Sequence, residues 1–222
     1  MTKTRVFPLN KCCDIKILPP YQFPYSLNDE LNRIWNEEFK KKNGLITNDP
    51  VFSLSGHTQN TLTIQEIDYR TVIARRLNPD IFINLPEIRP LAVTGILISP
   101  AGLVLGRRSN NVSTHEGLWE PAPAGGLSLP DPRGQLLDEL REELGLDASS
   151  VTSTEVCGLV EDVATGVVDI IFVLMSSLPE NEIRSAYEQF GSKEYSEISF
   201  IPLDNIQEFL KENKEILLTS LS

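Results

Sequence analysis

The spacing of apolar and polar residues changes several times along the chain, and each change marks an element. Residues 12–18 alternate like a strand and run into a turn built on Pro19, Pro20 and Pro24. A helix then opens at residues 26–30, with Leu31, Ile34, Trp35 and Phe39 near helical spacing. Residues 51–55 and 61–67 read as strands and residues 68–76 as a short helix. The stretch 78–89, holding Pro79 and Pro86, is the best boundary in the chain. It separates an N-terminal α+β extension, residues 1–89, from a second unit, residues 90–222, against which the extension is expected to pack.

Beyond the boundary the pattern is richer in strands. Residues 91–98 and 102–105 flank Ser99-Pro100-Ala101-Gly102, a hairpin signal. A long loop, 109–117, leads to Trp119 and the Pro/Gly-rich run 121–126. A helix follows, then strands near 154–160 and 167–175, a helical stretch at 180–190, a strand at 198–201 and a helical close at 203–218. Strands interspersed with helices in this order predict an α+β sandwich with a mixed sheet, not a doubly wound parallel sheet. Neither a dinucleotide-binding glycine fingerprint nor a P-loop is present.

The helix after residue 130 is the most strongly specified element. Asp131 suits the N-cap, Pro132 the first helical position and Gly145 the position just past the end. At roughly 100° per residue, Leu136, Leu137, Leu140 and Leu144 make one stripe that faces a core. Glu139, Glu142 and Glu143, spaced i, i+3 and i+4, share a second face centred roughly 120° from it. Like charges so close weaken a helix, and a hard divalent cation such as Mg²⁺ removes that penalty by taking carboxylate oxygens as ligands. Spacing alone also fits an acidic face that is simply solvated.

Charge narrows the partners. With a net charge of −11, the surface repels a nucleic-acid backbone, while a local basic pocket or cation still allows a small anion. Arg107 and Arg108, ending a strand before Asn110 and Asn111, supply such donors at a loop mouth. No apolar run approaches the ~20 residues that span a bilayer. Cys12, Cys13 and Cys157 show no metal-ligand spacing and read as reduced thiols of a cytoplasmic protein. His57 and His115 have no visible partner, which disfavours a Ser-His-Asp or Cys-His catalyst.

These pieces together carry a family resemblance. The run Glu139-Leu140-Arg141-Glu142-Glu143-Leu144-Gly145-Leu146 resembles the C-terminal half of the Nudix box. Gly117 through Trp119, Pro121, Ala124, Gly125 and Gly126 resemble the segment that precedes that box. Asp138 stands where the family has Arg, Asp131 is the carboxylate nearest the first box Glu, and the glycine pair lies closer to the helix than the pattern has it. Arg107-Arg108-Ser109-Asn110-Asn111-Val112 is similar to an element of the UDP-glucose/UDP-galactose diphosphatase subgroup, with Glu116 in place of that element's Pro. Residues 31–54 and 67–79 resemble the same subgroup, which extends the likeness to nearly the whole chain.

The resemblance implies an α/β/α Nudix sandwich that hydrolyses the phosphoanhydride of a nucleoside diphosphate linked to another group. A UDP-sugar giving UMP and sugar 1-phosphate is the expected substrate. It implies Mg²⁺ or Mn²⁺ held by Glu139, Glu142 and Glu143 with the Gly125 carbonyl, and phosphate or nucleotide contacts from Arg107, Arg108, Asn110 and Asn111. Glu161, read as part of a hairpin tip, is a candidate base or extra ligand. The expected partner is a small nucleotide, with neither nucleic acid nor membrane, for a monomer or homodimer. Two other readings stay open: hydrolysis of ADP-ribose or dinucleotides, and a non-catalytic nucleotide-binding regulator on a decayed Nudix scaffold.

Overall fold

The computed structural model describes residues 4–110 and 115–217. Eleven strands and five α-helices in the described residues form two sheets with helices around them. The small sheet is β2 (Asp14–Leu18), β4 (Thr61–Asp68) and β3 (Pro50–His57) in that order, β2 parallel and β3 antiparallel to the central strand. Its outer face is covered by α1 (Tyr25–Lys41) and α2 (Tyr69–Leu77), where Leu31, Ile34, Ile67, Ile73 and Ala74 are buried together.

The large sheet has the order β1 (Thr4–Pro8), β9 (Ser153–Asp162), β10 (Val168–Met175), β5 (Leu91–Ser99), β6 (Gly102–Arg108), β11 (Tyr195–Ile201). The pair β10 and β5 is parallel and the remaining neighbours are antiparallel, so the sheet is mixed as expected. The helix α3 (Pro132–Leu144) and α4 (Glu180–Phe190) pack on one face, while α5 (Ile206–Glu212) lies on the other with Leu103, Leu105 and Ile201. Fully buried Leu136, Leu140 and Leu144 join α3 to Leu97, Leu159 and Ile170 of the sheet, and Phe52, Leu54, Leu62 and Ile64 of the small sheet enter the same core. Truncating any one of these leucines to Ala is expected to cost about 2–5 kcal/mol.

Two features depart from the sequence reading. Residues 4–8 form an unpredicted strand: β1 pairs along the edge of β9, so the N-terminal segment contributes to both sheets. The predicted helix at 203–218 is interrupted, with α5 ending at Glu212 and a 3₁₀ turn at Lys214–Ile216 following Asn213; residues 218–222 lie outside the described residues. No helix among the described residues is long and apolar enough to cross a membrane.

The feature that makes a site is a fork. Strands β5 and β6 pair only at Ile98–Leu103 and Ser99–Gly102, next to their turn, and then separate. Into the gap come β7 (Trp119–Pro121), pairing with β6, and β8 (Ala124–Gly126), pairing with β5. Sheet hydrogen bonding is thereby kept while the backbone of residues 119–126 is delivered beneath α3.

Candidate functional site

Helix α3 begins and ends as its sequence dictates. The Asp131 side chain accepts from the Arg133 backbone N–H, Pro132 opens the helix, and Gly145 takes a left-handed φ of 68° just past its end. A side chain at 145 would also meet the Ala186 carbonyl oxygen at 2.5 Å, so the stop doubles as close packing on α4. With both ends fixed, the rotation of the helix is set by its leucines, and the glutamates follow.

They do not follow as a group of three. Taking Glu139 as zero at roughly 100° per residue, Glu143 lies about 40° toward the leucine stripe and Glu142 about 60° away from it. Accordingly Glu143 is 1% exposed, Glu139 is half-buried and Glu142 is exposed. Among the described residues no set of three or more His, Cys, Asp or Glu side chains comes together in a form ready to hold a metal ion. What α3 turns inward is a pair.

The pair is held against the forked backbone. Glu143 Oε2 accepts from the Ala124 backbone N–H at 2.9 Å and from the Tyr195 hydroxyl at 3.0 Å. Its Oε1 is buried with no hydrogen-bond partner. Glu139 Oε1 accepts from Gln135 Nε2 at 2.8 Å, and Gln135 Oε1 in turn accepts from the backbone N–H groups of Ser128 and Leu129. The Glu139 carboxylate lies over Gly125, where an added Cβ would come 2.1 Å from Oε1. This position requires glycine because the space is filled by the carboxylate itself.

Two further acids stand near. Glu120 on β7 is 6% exposed and forms an ion pair with Arg108 at 2.6 Å, and Arg108 also reaches Glu194 at 3.4 Å. The carboxyl of Glu139 is pushed up to about 7 chiefly by burial, with Glu142, Glu194 and Asp138 adding to the rise and the Gln135 hydrogen bond opposing it. Burial likewise holds Glu143 well above the usual carboxylate range; the Ala124 N–H opposes this, and Glu194, Glu139 and Glu120 reinforce it. The Tyr195 phenol is raised well above its ordinary value by burial and by Glu143 and Glu120, so it remains a donor. Among the described residues no cationic side chain pairs with Glu139 or Glu143. A desolvated pair of carboxylates with an orphaned oxygen, beside backbone that admits no side chain, fits a divalent cation by its donor chemistry.

The other anticipated residues are dispersed. Arg107 pairs with Glu197 at 3.1 Å and donates to the Gly117 carbonyl. The Arg108 side chain, 12% exposed, lies 2.6 Å from Glu120 and 3.4 Å from Glu194. Asn110 is exposed, and Asn111 lies outside the described residues. Glu161 is not in a hairpin tip, because β9 extends to Asp162 and the turn follows it. It is buried toward β1, 3.5 Å from Arg5, and is not joined to the α3 glutamates.

Sequence reasoning missed three members of the site. Glu120 was noticeable, as a carboxylate in the approach to the glycine pair, but its direction depends on the fork. Tyr195 arrives on β11 and Glu194 in the turn just before it, 50 or more residues past the helix, and nothing local marks them.

No protein-family model matches the chain, and no curated protein matches it. Solved structures do. A protein of Deinococcus radiodurans is similar at a TM-score of 0.47 and 13% identity, over 74% of this chain and 89% of that one. An Ap4A hydrolase of C. elegans, solved as a binary complex, gives 0.41 and 15% over 59% of this chain and 91% of that one. The Nudix domain of Shewanella oneidensis NrtR, complexed with ADP ribose, gives 0.41 and 17% over 59% and 86%. With each of these TM-scores under 0.5, the functional argument rests on the site itself.

Proposed function

We propose that the chain is a metal-dependent Nudix-type hydrolase of the phosphoanhydride in a nucleoside diphosphate-linked compound, with a UDP-sugar such as UDP-glucose as substrate. The observation that carries the reading is Glu143 Oε1, a carboxylate oxygen buried without a partner beside Glu139 and Gly125. An unpaired buried carboxylate is costly, and a cation is the simplest group that relieves it. Glu139 and Glu143 would hold Mg²⁺ or Mn²⁺, with the Gly125 carbonyl as a backbone ligand and Glu142 available from the solvent side. A cation bound there supplies neutralising charge for the diphosphate and makes water a better nucleophile at neutral pH.

The chain's own groups do the rest. Ala124 N–H and Tyr195 O–H fix one oxygen of Glu143, and Gln135 fixes one oxygen of Glu139. Both acids are thereby oriented before substrate arrives, which avoids reorganisation during reaction. Glu142, exposed on the neighbouring face of α3, is placed to take a proton from water.

Subgroup resemblance in residues 106–112 supports the UDP-sugar assignment, and the geometry of α3 supports the chemistry. The test is purified protein with Mg²⁺ or Mn²⁺ against UDP-glucose, ADP-ribose and a dinucleoside polyphosphate. UMP and glucose 1-phosphate are the expected products. AMP from ADP-ribose as the only product would move the substrate to the second class. Tight nucleotide binding with no turnover on any of them would favour a regulator, a reading to which the outward turn of Glu142 lends itself.

A further inference from the structure

Tyr195 is a large polar side chain, 2% exposed, on a strand that the sequence does not connect with the helix it serves. Three observations show how it is placed. Its register partner on β6 is Arg108, and the pairing shifts by a bulge immediately afterwards, between Tyr195 and Glu197. A bulge re-aims the side chains beside it. The ring then lies over Gly106, where an added Cβ would meet Tyr195 ring carbons at 2.6–2.7 Å. Finally, the Tyr187 hydroxyl of α4 donates to the Tyr195 carbonyl at 2.9 Å and pins the backbone.

This construction delivers one hydroxyl to Glu143 Oε2 at 3.0 Å. Among the described residues Glu143 has two donors, and both fall on Oε2. With Oε2 fixed from two directions the plane of the carboxylate is set, and Oε1 is the oxygen left to face outward from that clamp. With Ala124 N–H alone, the group could turn about a single hydrogen bond.

We infer that Tyr195 is a positioning residue of the proposed metal centre, its hydroxyl clamping Glu143 so that Oε1 is presented to the cation. The inference rests on the functional reading above. Outer-shell partners of metal ligands change metal affinity about 10- to 100-fold when removed, and Tyr195 has that relation to Glu143. Arg108 and Glu120 complete the support by keeping a second carboxylate beside the hydroxyl occupied with its own cation.

The experiment is direct Mn²⁺ titration of the full chain without substrate, by electron paramagnetic resonance of free Mn²⁺, on wild type, Tyr195→Phe and Gly106→Ala. Tyr195→Phe removes the oxygen and keeps the ring; Gly106→Ala keeps the oxygen and displaces the ring. The Kd for Mn²⁺ is expected to rise about tenfold in each, with KM for UDP-glucose at saturating metal changed less than twofold. A lowered Tm with an unchanged Mn²⁺ Kd in Tyr195→Phe would overturn the inference and leave Tyr195 a packing residue. Should that variant fail to fold, an unchanged Kd in Gly106→Ala overturns it equally. Absence of Mn²⁺ binding by wild type would instead remove the metal centre itself, and the clamp with it.

Discussion

Helices α1 and α3 both carry acids at helical spacing, and they use them in opposite ways. On α1, Arg33 donates to Glu30 and Glu37 at 2.6–2.9 Å on an exposed face, and the buried Glu38 lies 3.7 Å from Lys41 and 3.8 Å from Arg76. Every one of these acids has a cation. On α3, Glu139 and Glu143 are desolvated and have none among the described residues, whereas the outward-facing Asp138 pairs with Arg141 at 3.6 Å. Glu38 and Glu143 make the closest contrast: two buried helical glutamates, one neutralised within the fold and one not. Both lie on faces set by helical geometry; what separates the two is whether the protein itself supplies the counter-charge.

The sharpest way to break this contrast is to neutralise one acid on each helix. Glu143→Gln is expected to lower kcat by about 100-fold or more, since it removes an ionised ligand at the reacting centre. In the absence of metal it should not lower urea stability, because Gln keeps an oxygen for the Ala124 and Tyr195 donors and removes the cost of burying a carboxylate. Glu38→Gln should do the reverse, leaving kcat within twofold and costing on the order of 1 kcal/mol through its two lost ion pairs. Steady-state kinetics and urea unfolding on the two variants decide it; equal kinetic effects would dissolve the distinction.

The adjacent glycines sharpen it next. Gly125→Ala forces a methyl group to within 2.1 Å of Glu139 Oε1, while Gly126→Ala meets nothing within 4 Å. The first is expected to reduce kcat about tenfold or more by displacing an oriented carboxylate, as losses of ligand orientation do, and the second to leave it unchanged. If the pair behave alike, the close approach at 125 has no catalytic meaning.

Acid titration offers a milder test. Glu139 is raised from about 4.5 to about 7 by burial. The folded state therefore binds that proton more tightly than the unfolded state, and the metal-free protein loses stability as pH rises from about 4.5 through 7. Discounting for partial exposure, the loss is on the order of 2 kcal/mol. Chemical denaturation across that range with a chelator present should show the decline, and Glu139→Gln should flatten it. Added Mg²⁺ should restore stability at pH 7.5 by binding the folded state alone. A flat profile in the wild type would mean that Glu139 is better solvated than its position indicates.

How much of this could be read beforehand follows from distance along the chain. The boundaries of α3 were legible because Asp131, Pro132, the leucine stripe and Gly145 act within about four turns and agree with one another. The outward turn of Glu142 lay in the same arithmetic, although i, i+3, i+4 spacing invites grouping all three glutamates; about 60° of rotation separates the half-buried Glu139 from the exposed Glu142. The mixed sheet was legible as a class, and its fork was not. Nothing in residues 119–126 announces that β7 and β8 attach to different strands, and that attachment decides where Glu120 points and what lies beneath Glu139. The surroundings of Arg108 were hidden for a related reason, since Glu120 of β7 and Glu194, from the turn before β11, reach it from distant parts of the chain.

The smallest expected effect tests the solvated side of the contrast. Arg33 holds Glu30 and Glu37 in ion pairs as short as any among the described residues, and Glu30 is held below its ordinary value chiefly by the hydrogen bond from Arg33. Geometry of that quality would suggest a large contribution if distance alone measured energy. Both partners are in water, however, and immobilising three long side chains offsets most of the attraction. Arg33→Ala is therefore expected to change stability little, with added salt erasing what remains, and to leave kcat untouched. A large loss in thermal or urea unfolding would show that α1 rests on its surface charges, and the rule drawn from comparing the two helices would fail.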